Sequence, residues 1–583
     1  MKKLLRKKLA LMLANLKKKR PFYTEVEYLE ASGTQYINTG LLSTANSKVD
    51  VVFGFTSMES GSANNCAIFG GRSNTTYTVN TFTMFKLASA SPQSFRFDYN
   101  GQRTVATASQ LTWDTTSKYR FQYTGSQQIT TNVTTGESVS ENLAPGSSYT
   151  ETPITLFGVN TRGAVGQNMP GRIYKCWYTD GTTTLDLIPV LDWNMTPCMY
   201  DKVSGELFYN QGTGDFTAGR EIHYVDYLET LDNTNWITTT FKPTATTNIE
   251  TKVRCITTST TLTTWALGAS TWWGVHLKDI TQIGIVNGTR ADRQAYYPYS
   301  VNTDVVLKLD GSNVYVDGNL VGSITKASAT STLDLFRYYN ASNLFWRGRI
   351  YYFKADDNGT QVLDMVCAID ENGVGFMFDK VSHTCFLNAG TGAFKTPVVE
   401  LEYLESTGTQ YIDTGYSFNS NTDTIELGYQ NTSTLTNKWL FGSYESNANI
   451  GISSANLSQV TFWYNGNVWG AVSSQYDSEH ILRYDSTGMS NDGINLKAFT
   501  SYTGTWNLYL FALNNTGTSP NGYFGYGKIW GYTHTRNSST LVDLIPAFKD
   551  GVAGMLDKAN NVFYSNAGTG TFTAGKIVES EWE

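Results

Sequence analysis

Residues 306–323 read VLKLDGSNVYVDGNLVGS. Apolar and polar residues alternate at 306–309 and again at 314–316, and an Asp-Gly pair follows each run. Alternation with a period of two is typical of a strand that buries one face, and Asp-Gly is a preferred hairpin turn. The stretch therefore predicts consecutive antiparallel hairpins.

The composition extends this prediction to the whole chain. Only 16% of the 583 residues are charged, whereas Thr, Asn, Ser, Gly and Tyr are abundant. Such a mixture favours strands and turns over surface helices. The length predicts three or four domains of ordinary size. The predicted fold class is all-β, and many short strands in each domain imply two packed antiparallel sheets.

Two blocks of sequence recur three times and mark the domains. The opening block reads EYLEASGTQYINTG at 27–40 and EYLESTGTQYIDTG at 402–415, and a degenerate copy, DYLETLDNTNWITTT, lies at 226–240. The closing block, which contains an Asp-Lys pair and a Gly-Thr-Gly turn, lies at 185–219, 363–394 and 542–575. These blocks predict three tandem antiparallel β-sandwich domains, at 21–220, 221–397 and 398–583.

Two shorter markers align inside the units. One is Ile68-Phe69-Gly70, Ala266-Leu267-Gly268 and Leu440-Phe441-Gly442, and the other is Gly171-Arg172-Ile173-Tyr174, Gly348-Arg349-Ile350-Tyr351 and Gly527-Lys528-Ile529-Trp530. The units are far longer than solenoid repeats, so each is expected to have its own core. We expect short, semi-rigid linkers near 218–224 and 395–400.

The segment at 1–20 differs from the rest of the chain. It holds nine Lys or Arg and no acidic residue, and subtracting these charges from the net −7 leaves −16 for the remainder. A body that acidic has no general attraction for nucleic acid. The basic residues near the start are Lys2, Lys3, Arg6, Lys7 and Lys8, and Leu5, Leu9, Leu13 and Leu16 form an apolar stripe on a predicted amphipathic helix.

We expect residues 1–20 to attach the chain to a larger assembly. The apolar centre at 9–16 is too short to span a bilayer. Basic residues at 17–20 stand where a secretory signal peptide would have its small-residue cleavage site. A signal peptide, a helix lying on an anionic membrane and an unstructured tail remain open as alternatives.

The hairpin stretch at 306–323 resembles the laminin-G/concanavalin A-like jelly roll, in which an Asp-Gly turn separates strands. The opening block, with its Gly-Thr-Gln-Tyr-Ile core, and the closing block are similar to domains in virion proteins of phages that infect gut bacteria. The resemblance covers nearly all of residues 25–576. It implies a glycan- or protein-binding module displayed on a virion as a head fibre, tail fibre or decoration protein.

The same resemblance bears on partners and cofactors. Phage fibres are commonly homotrimers, so it implies a trimer, with other virion proteins bound through the N-terminal segment. It also implies calcium, but no set of acidic ligands recurs in all three units. No cofactor or metal site is therefore assigned from the sequence.

No enzyme active site is expected. The carboxylates that recur, namely Asp186, Asp364, Asp543, Asp201, Asp379 and Asp557, belong to turn-rich closing blocks, where Asp usually accepts backbone hydrogen bonds. The five histidines (His223, His276, His383, His480 and His534) occupy no repeated position, which argues against a triad or metal centre. The six cysteines show no zinc spacing and are expected to be buried free thiols.

Aromatic residues are the better candidates for function, because sugar rings stack on exposed aromatic faces. Most of the Trp, Tyr and Phe residues must fill cores. A few lie in polar, glycine-rich surroundings that favour loops, and these are the glycan-binding candidates: Trp272, Trp273, Tyr296, Tyr297, Trp463 and Trp469.

Three functional hypotheses follow from the sequence. The first is a non-enzymatic protein of the virion surface that adheres to cell-surface glycans and is anchored by its N-terminus. The second is a bacterial cell-surface lectin whose N-terminus is a signal or membrane anchor. The third, and weakest, is a glycan-cleaving enzyme.

Overall fold

The computed structural model describes residues 23–59, 65–74, 80–88, 94–107, 110–144, 151–256, 264–433, 435–445, 448–456, 459–465, 467–472, 478–498 and 501–578. The predicted attachment segment at 1–20 lies outside these residues. The described chain is all-β, as predicted, and its strands pair almost entirely in antiparallel fashion. One short 3-10 helix, Ala291–Arg293, interrupts the described strands.

The first repeat contains nineteen described strands. They are β1 (Tyr23–Val26), β2 (Leu29–Ser32), β3 (Ile37–Asn38), β4 (Lys48–Phe55), β5 (Cys66–Arg72), β6 (Thr81–Leu87), β7 (Ser94–Tyr99), β8 (Gln102–Thr107), β9 (Tyr119–Tyr123), β10 (Gln127–Asn132), β11 (Ser138–Asn142), β12 (Thr155–Leu156), β13 (Val159–Thr161), β14 (Ala164–Gly166), β15 (Pro170–Thr179), β16 (Thr184–Asp192), β17 (Pro197–Asp201), β18 (Leu207–Phe208) and β19 (Thr217–Ala218).

The second repeat continues the chain with sixteen described strands. They are β20 (Glu221–Tyr224), β21 (Leu228–Thr230), β22 (Ile237–Thr238), β23 (Asn248–Cys255), β24 (Thr264–Ala269), β25 (Trp273–Asp279), β26 (Gln282–Asn287), β27 (Gln294–Pro298), β28 (Asp304–Asp310), β29 (Asn313–Val316), β30 (Asn319–Ser323), β31 (Asp334–Leu335), β32 (Gly348–Asp357), β33 (Thr360–Ile369), β34 (Gly375–Asp379) and β35 (Thr384–Phe386).

The third repeat holds the remaining described strands. They are β36 (Val399–Glu400), β37 (Leu404–Thr407), β38 (Ile412–Asp413), β39 (Asp423–Asn431), β40 (Lys438–Glu445), β41 (Ala448–Asn456), β42 (Gln459–Tyr464), β43 (Asn467–Val472), β44 (His480–Asp485), β45 (Gly488–Asn491), β46 (Ile494–Lys497), β47 (Tyr509–Leu510), β48 (Tyr526–Arg536), β49 (Ser539–Lys549), β50 (Val552–Asp557), β51 (Val562–Tyr564) and β52 (Thr573–Ala574).

Each repeat builds the same two sheets. The larger sheet follows one order of eight strands in all three repeats: β11-β10-β9-β4-β15-β16-β17-β18, then β30-β29-β28-β23-β32-β33-β34-β35, then β46-β45-β44-β39-β48-β49-β50-β51. The smaller sheet is likewise shared: β3-β12-β5-β6-β7-β8, β22-β31-β24-β25-β26-β27 and β38-β47-β40-β41-β42-β43. The repeated blocks of sequence therefore correspond to one repeated architecture, including the second copy with its degenerate opening block.

The hairpin prediction for 306–323 is confirmed. Strands β28, β29 and β30 pair in succession, with Leu307 opposite Val316 and Val316 opposite Asn319. Asp317 and Gly318 both adopt positive φ, at 48° and 79°, which is the backbone of a two-residue hairpin turn.

The core of each sandwich lies between its two sheets. In the first repeat, Phe53 of the larger sheet packs on Phe95 of the smaller sheet, with ring centroids 5.5 Å apart. In the third repeat, Phe441 of the smaller sheet contacts Tyr484 and Tyr532 of the larger sheet. The six cysteines form no disulfide bond with one another and five of them are buried, as the sequence predicted.

The chain forms two compact units, one comprising 22–370 with 374–394 and the other formed mainly by 395–583. The first two repeats thus share one unit, although the sequence predicted a linker at 218–224. The reason is that most of the predicted linker lies in strands. Strand β20 pairs with β1, with Glu25 opposite Ile222, and also with β33, with His223 opposite Ile369. The larger sheets of repeats 1 and 2 therefore join into one continuous sheet.

A buried polar network accompanies this joined sheet. The side chain of His383 places Nε2 3.0 Å from Oε1 of Glu25 and Nδ1 2.9 Å from the carbonyl oxygen of Glu27. Tyr224 donates a hydrogen bond of 2.6 Å to the other carboxylate oxygen of Glu25. Burial alone would raise the pKa of Glu25, but the hydrogen bonds and the charge of His383 hold it below its ordinary value.

In the larger sheet of each repeat, one glycine lies where the backbones of two neighbouring strands approach closely. A Cβ atom on Gly171 would lie 2.4 Å from the carbonyl oxygen of Gly54 on the neighbouring strand. The equivalent distances are 1.9 Å from Gly348 to Arg254 and 2.3 Å from Gly527 to Gln430. These are the first residues of the Gly-Arg/Lys-Ile marker, so the marker records a close approach of two backbones.

Candidate functional site

The smaller sheet of each repeat has a face turned away from the core, which we term the outer face. A register shift occurs at the same place in all three repeats, after Ala67, Trp265 and Trp439. In the first repeat Ala67 belongs to a separate cluster with Phe85 and Val159, whereas the following marker residues lie in the main core. The residue before this marker therefore begins the outer face.

In the second repeat the outer face carries a row of five rings, defined by Trp272, Tyr338, Trp265, His276 and Tyr296. The ring centroids of Trp272 and Tyr338 are 5.7 Å apart, and those of Tyr338 and Trp265 are 4.9 Å apart. Trp265 stacks on His276 at 4.6 Å, and His276 meets Tyr296 edge-on at 5.8 Å. We call this set the aromatic row.

The strands explain why these side chains meet. Trp265 of β24 lies opposite His276 of β25, which lies opposite Gly284 of β26, and Gly284 lies opposite Tyr296 of β27. A Cβ atom at Gly284 would approach the Tyr296 ring to 2.8 Å. The glycine thus leaves the space that allows the hydroxyl of Tyr296 to reach His276 Nδ1, at 2.7 Å.

Trp272 is the most accessible ring of the aromatic row. It lies in the turn between β24 and β25, where Thr271 and Trp272 both have positive φ. Its backbone N–H donates to the hydroxyl of Tyr338, and 42% of the residue is exposed. A positive φ is costly for a bulky residue, so the fold imposes this conformation and with it the position of the ring.

The inner part of the aromatic row holds polar atoms without partners. Nε1 of Trp265 and Nε2 of His276 are buried and have no hydrogen-bond partner among the described residues. Burial, and secondarily the charge of Lys278, lowers the pKa of His276 to about 4. The imidazole is therefore neutral at physiological pH and can exchange hydrogen bonds without the cost of burying a charge.

Of the four sequence candidates in the second repeat, two lie in the aromatic row. Trp272 and Tyr296 belong to the row, and Tyr297 is exposed on strand β27. The expectation that Trp273 lies exposed in a loop is wrong, because it is a β25 residue with 2% exposure that points into the core. Tyr296 and Tyr297 are also in a strand and not in a loop.

The third repeat places its candidates on strands as well. Trp463 of β42 packs against Trp439 in a tilted arrangement, with ring centroids 5.2 Å apart, and its Nε1 donates to Ser453. Both positions belong to the outer face of that sheet. Trp469 lies in β43, and its side chain is outside the described part of the chain.

Three members of the site were not predicted, namely Trp265, Tyr338 and His276. Trp265 had a usable signal, because it precedes the Ala-Leu-Gly marker at the position that Trp439 holds in the third repeat. Tyr338 gave no signal, since its place beside Trp272 depends on a loop far along the chain.

A second concavity lies in the first repeat, a groove of about 850 Å³ between residues 38–41, 182–185 and 201–211. Its carboxylate Asp201 accepts hydrogen bonds from the backbone N–H groups of Asp186, Val203 and Ser204. Asp379 and Asp557 accept the equivalent backbone bonds in the other repeats. The predicted structural role of these three carboxylates is confirmed.

In the ranges that the structure describes, no group of three or more His, Cys, Asp or Glu side chains is arranged to hold a metal ion. Nor does any helix in those ranges have the length and apolar character needed to cross a membrane.

Comparisons with known proteins concern the fold only. No protein-family model matches the chain, and no curated protein matches it significantly. Among solved structures, the LG1-3 region of the laminin alpha2 chain is similar at 10% identity, covering 95% of this chain and 100% of that chain, with a TM-score of 0.25. Domains LG4-5 of the mouse laminin alpha1 chain are similar at 11% identity over 58% of this chain and 92% of that chain, with a TM-score of 0.21.

A NanB sialidase from Streptococcus pneumoniae is similar at 10% identity, covering 93% of this chain and 91% of that chain, with a TM-score of 0.21. Likenesses at these identities and scores carry no argument about function.

Proposed function

We propose that this chain is a non-enzymatic adhesion protein that binds glycans through the outer faces of its smaller sheets, foremost through the aromatic row of the second repeat. The observation that carries the proposal is the row itself: five rings lie in contact along one face, and its terminal ring, Trp272, is open to solvent. Burying an aromatic ring is favourable in a core, so an exposed and positionally fixed ring suggests a binding role.

The chemistry of the row suits a saccharide. The apolar C–H face of a sugar ring can stack on Trp272 and Tyr338, and its hydroxyls can then exchange hydrogen bonds with neighbouring polar groups. Tyr338 is held for this by its hydrogen bond from the Trp272 backbone at 3.2 Å. The underlying Trp265 supports both rings from below, which fixes the platform before a ligand arrives.

Trp272→Ala is expected to weaken binding to neutral polysaccharide about tenfold, or about 1.4 kcal/mol, because it removes the exposed stacking surface. The fold should survive, since truncating an exposed ring costs little stability. Isothermal titration of the intact chain with dextran, mannan and galactan provides the measurement. Trp193→Ala is the matched control, since Trp193 is an exposed ring on the first repeat and should leave binding unchanged. Equal affinity of the Trp272 variant and the parent would contradict the proposal.

We further propose that the protein acts at a virion surface and is attached there by residues 1–20. The likeness of its opening and closing blocks to phage virion proteins supports the virion location. The arm carries nine cations, and the rest of the chain is acidic. At physiological salt the screening length is about 8 Å, so charge alone gives weak attachment and the Leu stripe must supply most of it.

Deletion of residues 1–20 is expected to leave a folded chain that no longer incorporates into particles, because the first described strand begins only at Tyr23. Occupancy on purified phage particles, compared with that of a variant in which Leu5, Leu9, Leu13 and Leu16 are replaced by Ser, separates apolar from charge contributions. Normal incorporation of the truncated chain would show that the arm is not the anchor. Cleavage near Arg20 with recovery in a membrane fraction would favour the bacterial cell-surface lectin instead.

A further inference from the structure

The groove of about 850 Å³ in the first repeat combines an apolar with a polar lining. Its apolar part includes Leu185, which belongs to the main core of the repeat, and the half-buried Leu207 and Phe208 of β18. Small-molecule sites in proteins usually occupy about 300 to 1,000 Å³ and add a few polar groups to an apolar lining. The groove has both properties.

Hydrogen bonds within the repeat fix the segments that line the groove. Asp180 accepts the backbone N–H groups of Thr182 and Thr183 through Oδ1, each at 2.7 Å. Asn38 accepts the backbone N–H two residues further along the chain at 3.0 Å, and Asp201 holds the hairpin turn in the same manner. The lining is therefore ordered before a ligand binds, which lowers the entropic cost of binding.

Several polar groups of the lining are available to a ligand. The hydroxyls of Thr182 and Thr183, the carboxylate of Glu206 and the side-chain amide of Gln211 make no hydrogen bond to any residue that the structure describes. All four residues are exposed. Together they offer hydrogen-bond donors and acceptors to a ligand that carries many hydroxyls.

Tyr209 adds an aromatic ring to the lining. The residue is 42% exposed, and its hydroxyl donates a hydrogen bond of 3.1 Å to Oδ2 of Asp192. The other carboxylate oxygen of Asp192 accepts the backbone N–H groups of Asn194 and Thr196. The ring is thus exposed but held in place, as a stacking surface for a sugar requires.

The fold does not explain the side chain of Gln211. Its backbone N–H donates to a carbonyl oxygen of the opening block at 3.0 Å, and Ala389 and Ala567 make the same bond at 2.8 Å and 2.9 Å in the other repeats. Because the backbone alone makes this bond, alanine serves the fold equally well. The amide at position 211 therefore has no structural role that the other two repeats share.

The same comparison applies to Glu206 and Tyr209. Strands β18, β35 and β51 pair with their preceding strands in one shared register, so equivalent positions can be counted from them. The residues equivalent to Glu206 and Tyr209 are Thr384 and Leu387 in the second repeat, and Val562 and Ser565 in the third. The polar lining is therefore a property of the first repeat and not of the repeated architecture.

We infer that the groove is a second saccharide site, selective for uncharged sugars, an inference that rests on the proposed function for its class of ligand. No Lys or Arg is among the described residues that line the groove, and Glu206 is its exposed carboxylate. Glu206 repels an anionic sugar, whereas two hydroxyls of a neutral sugar can donate to its two oxygen atoms. Tyr209 then packs on the C–H face of the same ring.

Isothermal titration of the intact chain with isomaltotriose, mannotriose and galactotriose tests the inference, because a short sugar reports each site separately. At least one of these sugars is expected to bind at two sites per chain. A variant that combines Glu206→Thr, Tyr209→Leu and Gln211→Ala gives the groove the residues of the second repeat. It is expected to weaken one site at least about tenfold and to leave the other unchanged.

The matched control makes the corresponding replacements in the third repeat, Val562→Thr with Ser565→Leu, and should leave both sites unchanged. Thermal unfolding verifies that each variant folds. Thr183→Trp keeps the inference testable if the triple variant folds poorly, because Thr183 is an exposed residue of the lining and the larger side chain would fill the groove. Two unchanged sites in a folded triple variant and in Thr183→Trp would overturn the inference.

The two proposals fail in distinguishable ways. If the parent shows a single site that Trp272→Ala removes, the proposed function survives and the groove site does not. If the groove variants remove all binding while Trp272→Ala removes none, the groove is a saccharide site and the aromatic row is not. If the intact chain binds none of the three sugars and none of the neutral polysaccharides, both fall.

Discussion

Gly171→Ala is expected to lower the free energy of unfolding of the unit formed by the first two repeats by about 3 kcal/mol, because overpacking a closed site forces backbone shifts. The new Cβ atom would lie 2.4 Å from the carbonyl oxygen of Gly54, and a strand inside the sheet cannot move aside without breaking its ladder. Urea denaturation followed by tryptophan fluorescence measures the change.

Gly166→Ala is the matched control for this prediction. It lies five residues earlier, and a Cβ atom there would meet no atom within 4 Å. Its effect should be within about 0.5 kcal/mol of zero. If the two substitutions shift the urea midpoint equally, the close approach of β4 and β15 is not what the marker glycine serves.

Glu25→Ala is expected to cost about 3 kcal/mol and to uncouple the first two repeats, because it removes the common partner of the buried His383 and the half-buried Tyr224. The parent should show one cooperative transition for these repeats, and the variant two. Glu400→Ala is the control, since Glu400 holds the equivalent position in the third repeat but pairs with Lys558 near the surface, 3.3 Å away. Its cost should be at most about 1 kcal/mol.

The same carboxylate gives the junction a defined pH dependence. The pKa of Glu25 is lowered in the folded chain, so its stabilisation is complete above the ordinary pKa and is lost as the pH falls through the lowered value. The difference in stability between the parent and Glu25→Ala should therefore shrink below about pH 4. A difference that stays constant between pH 7 and pH 3 would show that the carboxylate is not the stabilising group.

Sequence patterns predicted the architecture better than the site. Alternation and Asp-Gly turns located the hairpin of 306–323 correctly, because hairpin geometry is set locally. The role of residues 221–224 could not be found this way. Whether such a short stretch is a linker or a strand depends on pairing with the edge of β1, nearly 200 residues earlier.

Sequence patterns were also insufficient to place the residues of the candidate site. A period of two indicates that Trp272 and Trp273 point in different directions, but it does not tell which one faces the core. The structure buries Trp273 and exposes Trp272. Trp265 and His276 were missed because they are buried, and burial usually indicates a structural role. In the structure, their shared outer face and unpartnered nitrogen atoms set them apart.

A structure of the intact chain bound to an oligosaccharide, chosen from the polymer that it binds most tightly, would test the central claim most directly. The account predicts a sugar ring stacked on Trp272, within contact distance of Tyr338, on the outer face formed by β24 to β27. A sugar bound instead in the groove of the first repeat, between residues 38–41 and 201–211, with the aromatic row untouched, would contradict it.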